Sequence, residues 1–256
     1  TMGLSAVTLV ATREYVRIVR ALLDRETTEW EFEGERRKIR FLNPELELIN
    51  TTDPIPFHFG ALGPKGKKLA AETGMNWVIP VRDNAAAFSQ VRAMQDEWQG
   101  AGRNPAGLYT TAQVGGCILA DGEDAGGARA KAQGGPAAAM VMHDLVEAEQ
   151  FGTQGYRIPD EARPILDAYK SLYQSYEPAD ARYLSIHRGH LMILRPEEEH
   201  LIGGDLIKAL SFTATAPELR ERIRALRDAG YSQVSFHIRY GQDDTIEEWA
   251  ELAASV

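Results

Sequence analysis

The feature that most constrains this chain is a strand pattern followed by a helix pattern, which occurs four times. Short apolar segments typical of strands lie at residues 54–61, 76–80, 108–120 and 232–239, and each precedes a stretch of helical periodicity. Strands that alternate with helices favour parallel pairing through right-handed crossovers, so the sequence predicts the α/β class. A chain of 256 residues would suit a closed (β/α)8 barrel, but such a barrel needs eight of these units and four are evident.

The first of these units, PIPFHFGALGPKGKKLAAETG at residues 54–74, combines two signals. Its first half predicts a short buried strand, and its second half predicts a helix that begins at Pro64 and ends at Gly74. The Gly-Ala-Leu-Gly turn between them faces the positive end of that helix, where anions bind readily. From the residues alone the turn is either a plain connection with solvated Lys65 and Lys67 or a place where an anion binds.

Two patterns precede this unit. Residues 12–26 carry apolar side chains at helical spacing and predict an amphipathic helix. Residues 30–41 alternate around Gly34, with an acidic first arm and a basic second arm. This alternation predicts a β-hairpin supported by opposite charges across its strands.

In the middle of the chain, the alternation of strand and helix patterns is less regular. Asn84 is predicted to cap a helix that ends near Gly100. Residues 123–151 have a helical pattern broken by two glycines and a proline at 134–136, which predicts two helices. Residues 156–200 are rich in Tyr, Pro and charge, and we interpret them as an insertion that contains one helix.

The last part of the chain again contains clear signals for the starts and ends of helices. Thr215-Ala-Pro-Glu218 predicts a capping box at the start of a helix that ends at Gly230. A final helix is predicted to begin near Asp244. Its apolar face is predicted to consist of Ile246, Trp249 and Leu252.

Composition excludes several classes of function. The formal net charge of −9 argues against a general partner of nucleic acid or of an anionic membrane. Cys117 is the only cysteine, so neither an internal disulfide nor a cysteine metal cage is expected. No apolar run approaches the roughly 20 residues that cross a bilayer, and the first residues do not form a secretory signal. We therefore expect a cytoplasmic protein.

The six histidines predict different roles. His58 and His237 lie within strand patterns and point either into a pocket or into the core. His143 and His200 are expected on the surface or on a helix face. His187 and His190, in the sequence HRGH, have a spacing that could chelate a metal. Because no third ligand is evident, we predict no metal site. The pair is expected either to line a substrate pocket or to have a structural role.

Three segments together resemble one family. The helix TREYVRIVRALLDRE, the hairpin WEFEGERRKIRFL and the unit PIPFHFGALGPKGKKLAAETG are similar to luciferase-like oxidoreductases. That family includes the bacterial luciferase-type monooxygenases, the deazaflavin-dependent dehydrogenases and methylenetetrahydromethanopterin reductase. The later stretch FTATAPELRERIRALRDAGYSQVSFHI resembles the closing helix-strand unit of the same family.

The resemblance implies a TIM-type (β/α)8 barrel of which residues 1–256 hold the last four βα units as one domain, with 156–200 as an insertion. The first four strands have no counterpart in the chain. We therefore expect either a longer protein or a partner chain that completes the barrel, and a homodimer is expected from the family.

Residue by residue, the resemblance places the coenzyme at the turn after the first strand. The implied coenzyme contacts are Gly60, Ala61, Leu62, Gly63, Lys65, Asn76 and Trp77. His58, His187 and His190 are assigned to the substrate pocket. Arg239 and Tyr240 lie at the end of the last predicted strand, where barrels commonly bind phosphate. No catalytic residue can be named, because this class leaves the reaction to its coenzyme.

The implied function is oxidoreduction of a small organic substrate. The coenzyme is either FMN, for monooxygenation, or the deazaflavin F420, for hydride transfer, and the sequence does not choose between them. The alternative is a non-catalytic partner subunit or degenerate half-barrel that stabilises a catalytic chain. The substrate is not determined by the sequence.

Overall fold

The computed structural model of the chain describes residues 7–150 and 158–256. The helices are α1 (Leu9–Leu23), α2 (Pro64–Thr73), α3 (Asn84–Gly100), α4 (Ala128–Gln150), α5 (Arg163–Gln174), α6 (Tyr183–Ile186), α7 (Gly204–Leu210), α8 (Ala216–Ala229) and α9 (Thr245–Ala254). The strands are β1 (Thr28–Phe32), β2 (Glu35–Ile39), β3 (His58–Phe59), β4 (Asn76–Pro80), β5 (Thr110–Val114), β6 (Ile118–Leu119), β7 (Ala214–Thr215) and β8 (Gln233–Phe236).

The described residues form two compact units. The N-terminal unit contains residues 7–77 and 93–108, and the C-terminal unit contains the described residues 78–92, 109–150 and 158–256. The chain passes from one to the other three times, within β4, within α3 and between Leu108 and Tyr109. The single domain and the insertion at 156–200 remain predictions.

The N-terminal unit begins with the predicted helix and hairpin. Helix α1 starts earlier than expected because Thr8 caps it, accepting a hydrogen bond from the Ala11 N–H at 3.2 Å. Strands β1 and β2 pair antiparallel, with Glu29 opposite Lys38 and Glu31 opposite Arg36. The predicted helix and the predicted hairpin are both confirmed, and only their first and last residues differ from the prediction.

The predicted strand at 54–61 is much shorter in the structure. Only His58 and Phe59 pair with β4, in parallel register. Pro54 and Pro56 lack the N–H groups that a strand ladder needs, which explains why the preceding residues stay irregular. The following helix α2 begins at Pro64 and ends at Gly74, whose φ of 66° is left-handed, as the sequence predicts.

The C-terminal unit contains a parallel sheet. Strands β5 and β8 pair in parallel from Thr111 opposite Gln233 to Val114 opposite Phe236, and the Val81 N–H donates to the Gln113 carbonyl at 2.8 Å. Strands β6 and β7 form a separate parallel pair. The parallel pairing predicted from strand–helix alternation is confirmed, and the described residues contain no closed barrel.

The predicted strand 108–120 is divided at its glycine pair into β5 and β6. A Cβ built on Gly116 would lie 2.2 Å from the Phe212 carbonyl oxygen. Glycine is therefore required where these two backbone segments meet, and the predicted bend is confirmed. The predicted strand 232–239 is shorter, ending at Phe236.

Helix α4 corrects the prediction of two helices at 123–151. It runs without a break from Ala128 to Gln150, with Pro136 inside it. Its glycines serve packing instead. A Cβ on Gly134 would lie 2.7 Å from Thr213 Oγ1, and one on Gly135 would lie 3.0 Å from Leu194 Cδ2.

The main core of the C-terminal unit surrounds α4. Buried side chains of α4, α5, α6 and α7 pack together there, with Met142, Tyr169, Ile186 and Ile207 fully or almost fully inaccessible. The helix predicted inside the 156–200 segment is α5, and it contributes Tyr169 and Tyr173 to this core. These elements position the histidines discussed below.

Two smaller predictions need correction. The cap of α3 is Asp83, whose Oδ1 accepts from the Ala86 N–H at 2.8 Å, whereas Asn84 donates its side-chain amide to the Arg222 carbonyl. In α9, Trp249 and Leu252 are buried as predicted, but Ile246 is exposed. Among the described residues no helix is long and apolar enough to cross a membrane.

Candidate functional site

The Gly60–Gly63 turn of the N-terminal unit leaves the start of α2 open. Gly63 occupies the N-cap position without a side-chain cap, and a Cβ built on it would meet no atom within 4 Å. Leu62 and Lys65 are exposed, whereas Ala61 is buried. The first-turn N–H groups of α2 are therefore free of side-chain capping at an accessible surface.

Trp77 supports this turn from within the N-terminal unit. Its side chain is fully buried, and its indole Nε1–H donates to the Ala61 carbonyl at 2.8 Å. The ammonium of Lys67 lies 5.6 Å from the centroid of the Trp77 ring, and burial lowers the pKa of Lys67. Trp77 and Lys67 thus hold the turn, and the exposed lysine beside it is Lys65.

His58 and Asn76 are neighbours across the β3–β4 pair. The two residues are in register, and Asn76 Nδ2 lies 3.5 Å from His58 Nε2. His58 is exposed and Asn76 is half-buried. The structure therefore excludes a core position for His58, one of the two alternatives that its strand pattern left open.

Arg239 fills the carboxyl ends of β5 and β8 in the C-terminal unit. Its Nη2 lies 2.4 Å from where a Cβ on Gly115 would stand, and its Nη1 donates to the Leu191 carbonyl at 2.8 Å. Burial lowers the pKa of Arg239 to about 10. Its guanidinium is engaged with carbonyl groups inside the protein, while Tyr240 is exposed.

The HRGH segment forms a tight turn that brings two imidazoles together. Gly189 has a φ of 74°, and the His190 N–H donates to the His187 carbonyl at 3.1 Å. His187 Nδ1 lies 3.1 Å from His190 Nδ1, and His187 Nε2 lies 2.9 Å from Glu147 Oε2. The predicted pair is therefore a real cluster, anchored on α4 through Glu147.

His143 joins this pair from the buried face of α4. Its ring centroid lies 5.9 Å from that of His187 and 6.3 Å from that of His190. The side chain is buried, so the expected surface alternative is wrong for His143, whereas His200 is exposed. Position 143 is inaccessible because α5 and the 195–202 segment cover this face of α4.

A buried ionic network holds His143. Its Nε2 lies 2.5 Å from Glu198 Oε1, which also accepts from the Tyr169 hydroxyl at 2.5 Å. Arg195 Nε donates to Glu198 Oε2 at 2.8 Å. Burial opposes ionisation of Glu198, but the hydrogen bonds from His143, Arg195 and Tyr169 hold its pKa at about 2.

The surroundings of this network also shift the pKa values of His190 and Tyr169. The pKa of His190 is lowered by burial and by the charges of His187, His143 and Arg239. The pKa of Tyr169 is raised by burial and by the Glu198 carboxylate. At neutral pH the network thus contains an ionised carboxylate, a neutral phenol and a neutral His190.

Comparison with known proteins identifies the family. A family model described as luciferase-like monooxygenase matches residues 7–233. The chain belongs to this family. A comparison with curated proteins gives no match.

Several solved structures are similar to this chain. A coenzyme F420-dependent tetrahydromethanopterin reductase from Methanopyrus kandleri has a TM-score of 0.51 at 19% identity, covering 88% of this chain and 56% of that one. An F420-dependent secondary alcohol dehydrogenase has a TM-score of 0.48 at 16% identity, covering 92% and 58%.

A third structure is a Baeyer-Villiger monooxygenase, the oxygenating constituent of 3,6-diketocamphane monooxygenase from Pseudomonas putida, in complex with FMN. Its TM-score is 0.45 at 14% identity, covering 98% of this chain and 62% of that one. The chain thus spans somewhat more than half the length of each of these structures.

Sequence reasoning found His187 and His190 but missed their partners. His143 and Glu147 are four residues apart, so they share one face of α4, and that spacing could have signalled them. Glu198 and Arg195 carried no such signal. Their contact with His143 depends on how the 195–202 segment folds against α4, which is a tertiary property.

Proposed function

We propose that this chain is part of a luciferase-like oxidoreductase that uses FMN or the deazaflavin F420 on a small organic substrate. The observation that carries the proposal is the family match over residues 7–233. The fold likeness to the F420-dependent reductase from Methanopyrus kandleri supports it. In this proposal the four βα units are the last four of a (β/α)8 barrel, and the remaining strands come from the same longer protein or from a partner chain.

The open turn at Gly60–Gly63 is the proposed coenzyme contact. FMN and F420 are both anionic, and the uncapped N-terminus of α2 offers N–H donors together with the positive end of the helix dipole. The space at Gly63 admits a ligand, and the exposed Lys65 adds positive charge. These features fit an anionic coenzyme, whereas Trp77 would act by holding Ala61 and thereby the turn.

The chain's own residues would orient the coenzyme. When bound, the coenzyme supplies hydride transfer or, for FMN, the activation of oxygen. His58 and Asn76 would present polar groups beside the turn, since they are paired on the adjacent strands of the N-terminal unit. The 156–200 segment, with His187 and His190, would shape the substrate pocket.

A charge-reversal experiment at Gly63 tests the coenzyme site. Gly63 has a φ of −85° and a ψ of 160°, which any L residue adopts, so Gly63→Asp and Gly63→Ala should both fold. Asp adds a helix cap and a negative charge, whereas Ala adds only a methyl group in open space. Gly63→Asp should weaken coenzyme binding by about tenfold or more, because like charges a few ångströms apart cost over about 1.4 kcal/mol near a surface.

Titration of the wild type and both variants with FMN and with F420, followed by fluorescence, measures this effect. Retained affinity in Gly63→Ala and loss in Gly63→Asp would support the site. Equal affinity in all three proteins would remove the turn from the site while leaving the function standing. If the wild type binds neither coenzyme, the oxidoreductase proposal fails for this chain, and the partner-subunit alternative replaces it.

A further inference from the structure

Three histidines of the C-terminal unit form a cluster that is not part of the proposed coenzyme contact. His143, His187 and His190 each offer one ring nitrogen, and these nitrogens lie within 4.8 Å of one another. The closest two are the Nδ1 atoms of His187 and His190, 3.1 Å apart. Imidazoles at such spacing either share a proton or bind a common cation.

Carboxylates orient two of the three imidazoles. His143 Nε2 faces Glu198, and His187 Nε2 faces Glu147 at 2.9 Å. A neutral imidazole that donates one N–H to a carboxylate keeps a lone pair on its other nitrogen. This carboxylate–histidine arrangement is characteristic of metal-binding histidines, because it fixes the ring and raises the basicity of the free nitrogen.

The free nitrogen of His143 is the most informative atom of the cluster. The side chain is 4% exposed, and its Nδ1 is buried without a hydrogen-bond partner. Buried polar atoms are almost always paired, so a ring nitrogen without a partner among three imidazoles points to a ligand. When a neutral His143 ring donates from Nε2 to Glu198, its Nδ1 presents a lone pair to the other two imidazoles.

The carboxylates beside the cluster favour a cation, whereas the buried guanidinium of Arg239, whose charge acts on His190, opposes one. Glu198 is balanced by Arg195 at 2.8 Å. Glu147 is ion-paired in the described residues only with His187, and its Oε1 is buried without a hydrogen-bond partner. A divalent cation held by the imidazoles would supply the positive charge that this carboxylate lacks.

The turn that carries two of the ligands is held in place. Arg239 Nη1 donates to the Leu191 carbonyl at 2.8 Å, and Arg195 Nη1 donates to the Ser185 carbonyl at 2.6 Å. Both arginines are buried. These contacts fix the segment from α6 through the HRGH turn against α4, which carries the third histidine.

We propose that His143, His187 and His190 bind one zinc ion, with the fourth position open to water or to a substrate group. Three nitrogen ligands suit Zn²⁺, whose bonds to histidine are about 2.0–2.1 Å and therefore separate ligand nitrogens by about 3.3 Å in a tetrahedron. The Nδ1 pair is already at this spacing. A small rotation of His143 would bring its nitrogen into the same sphere.

The proposal goes beyond the oxidoreductase function and does not depend on it. Zinc titration of the full chain without any coenzyme, monitored by calorimetry, tests it together with elemental analysis of the dialysed complex. The wild type should bind one equivalent of zinc. His190→Ala removes one ligand and should weaken binding by about 100-fold or more, since outer-shell changes alone cost 10–100-fold.

His200→Ala is the matched control, because His200 is exposed and does not belong to the cluster. It should bind zinc as the wild type does. No saturable binding by the wild type, or equal binding by wild type and His190→Ala, would overturn the proposal.

If His190→Ala does not fold, binding of Co²⁺ to the wild type, followed by visible absorption, provides a second test of the site. Tetrahedral Co²⁺ absorbs strongly in the visible range, whereas octahedral Co²⁺ in solvent is pale. An intense spectrum that zinc abolishes by competition supports the site. A spectrum like that of free cobalt excludes it.

Discussion

At the scale of the residue, the C-terminal unit contains an ionised glutamate in an interior where charge is costly. Glu198 is 1% exposed and accepts from His143, Arg195 and Tyr169. Such a network stabilises only while every partner is present, because any buried charge left alone pays its full desolvation cost. The residue therefore links the pH of the solution to the stability of the α4 core.

We expect Glu198→Gln to destabilise the protein by about 3 kcal/mol at pH 7, because the buried Arg195 would lose its closer counterion at 2.8 Å and keep only Glu197 at 3.4 Å. Urea unfolding followed by circular dichroism measures this change. Glu199→Gln is the control, since Glu199 is exposed and adjacent. A loss below 1 kcal/mol in Glu198→Gln would contradict the role assigned to this network.

The sign of the pH dependence follows from the lowered pKa. Glu198 has a folded pKa of about 2 against an ordinary value of 4.5, so its contribution is fully present above pH 4.5. The contribution is lost as the pH falls from there toward 2. The stability of the wild type should therefore fall more steeply in this window than that of Glu198→Gln.

At the scale of the element, two helices differ in how closely they follow the start and stop signals of their own sequences. Helix α8 begins and ends where its sequence predicts, since Glu218 Oε2 accepts from the Thr215 N–H at 2.9 Å and Gly230 adopts a left-handed φ of 111°. Helix α4 instead overrides its local signals, continuing through Pro136. Packing of α4 against α5 and α7 outweighs the lost hydrogen bond.

Removal of the α8 cap should have a modest and measurable effect. Thr215→Ala deletes the hydroxyl that donates to Glu218 Oε2 at 2.7 Å, and we expect a loss of about 0.5–2 kcal/mol in the free energy of unfolding. Thr215→Ser keeps the hydroxyl and should lose less than half as much. Equal losses in the two variants, compared by thermal unfolding, would show that the cap does not stabilise α8.

At the scale of the whole molecule, burial is distributed unevenly. The β1–β2 hairpin of the N-terminal unit is exposed along nearly its full length, whereas α4 and α7 lie in the core of the C-terminal unit. An isolated two-stranded hairpin is marginally stable in water. Local stability should therefore differ strongly between these elements.

Native-state hydrogen exchange measures that difference. Amides of β1 and β2 should exchange with opening free energies near zero, while central amides of α4 should approach the global value of about 5–15 kcal/mol. Helix α9 offers an internal comparison, since one face is buried through Trp249 and Leu252 and the rest is exposed. Slow exchange throughout the hairpin would contradict this distribution of stability.

Local chemistry made part of this protein predictable from its residues. The α/β class, the parallel pairing, α2, the capping box and the bend at Gly115–Gly116 depend on periodicity, proline and glycine, whose effects extend over a few residues. The sequence also carried the family resemblance and the HRGH pair. The proposed coenzyme turn follows from the same local logic, with Gly63 at the start of α2.

Tertiary structure decided the features that depend on distant partners. The sequence predicts a surface or helix-face position for His143, because its neighbours along the chain do not show that α5 and the 195–202 segment cover α4. The ionisation of Glu198 is set by Tyr169 and Arg195, since buried charges are stabilised by whatever donors the packing brings near. The sequence by itself thus determined the family and those elements whose starts and ends depend on nearby residues, whereas packing determined the continuity of α4 and which histidines meet.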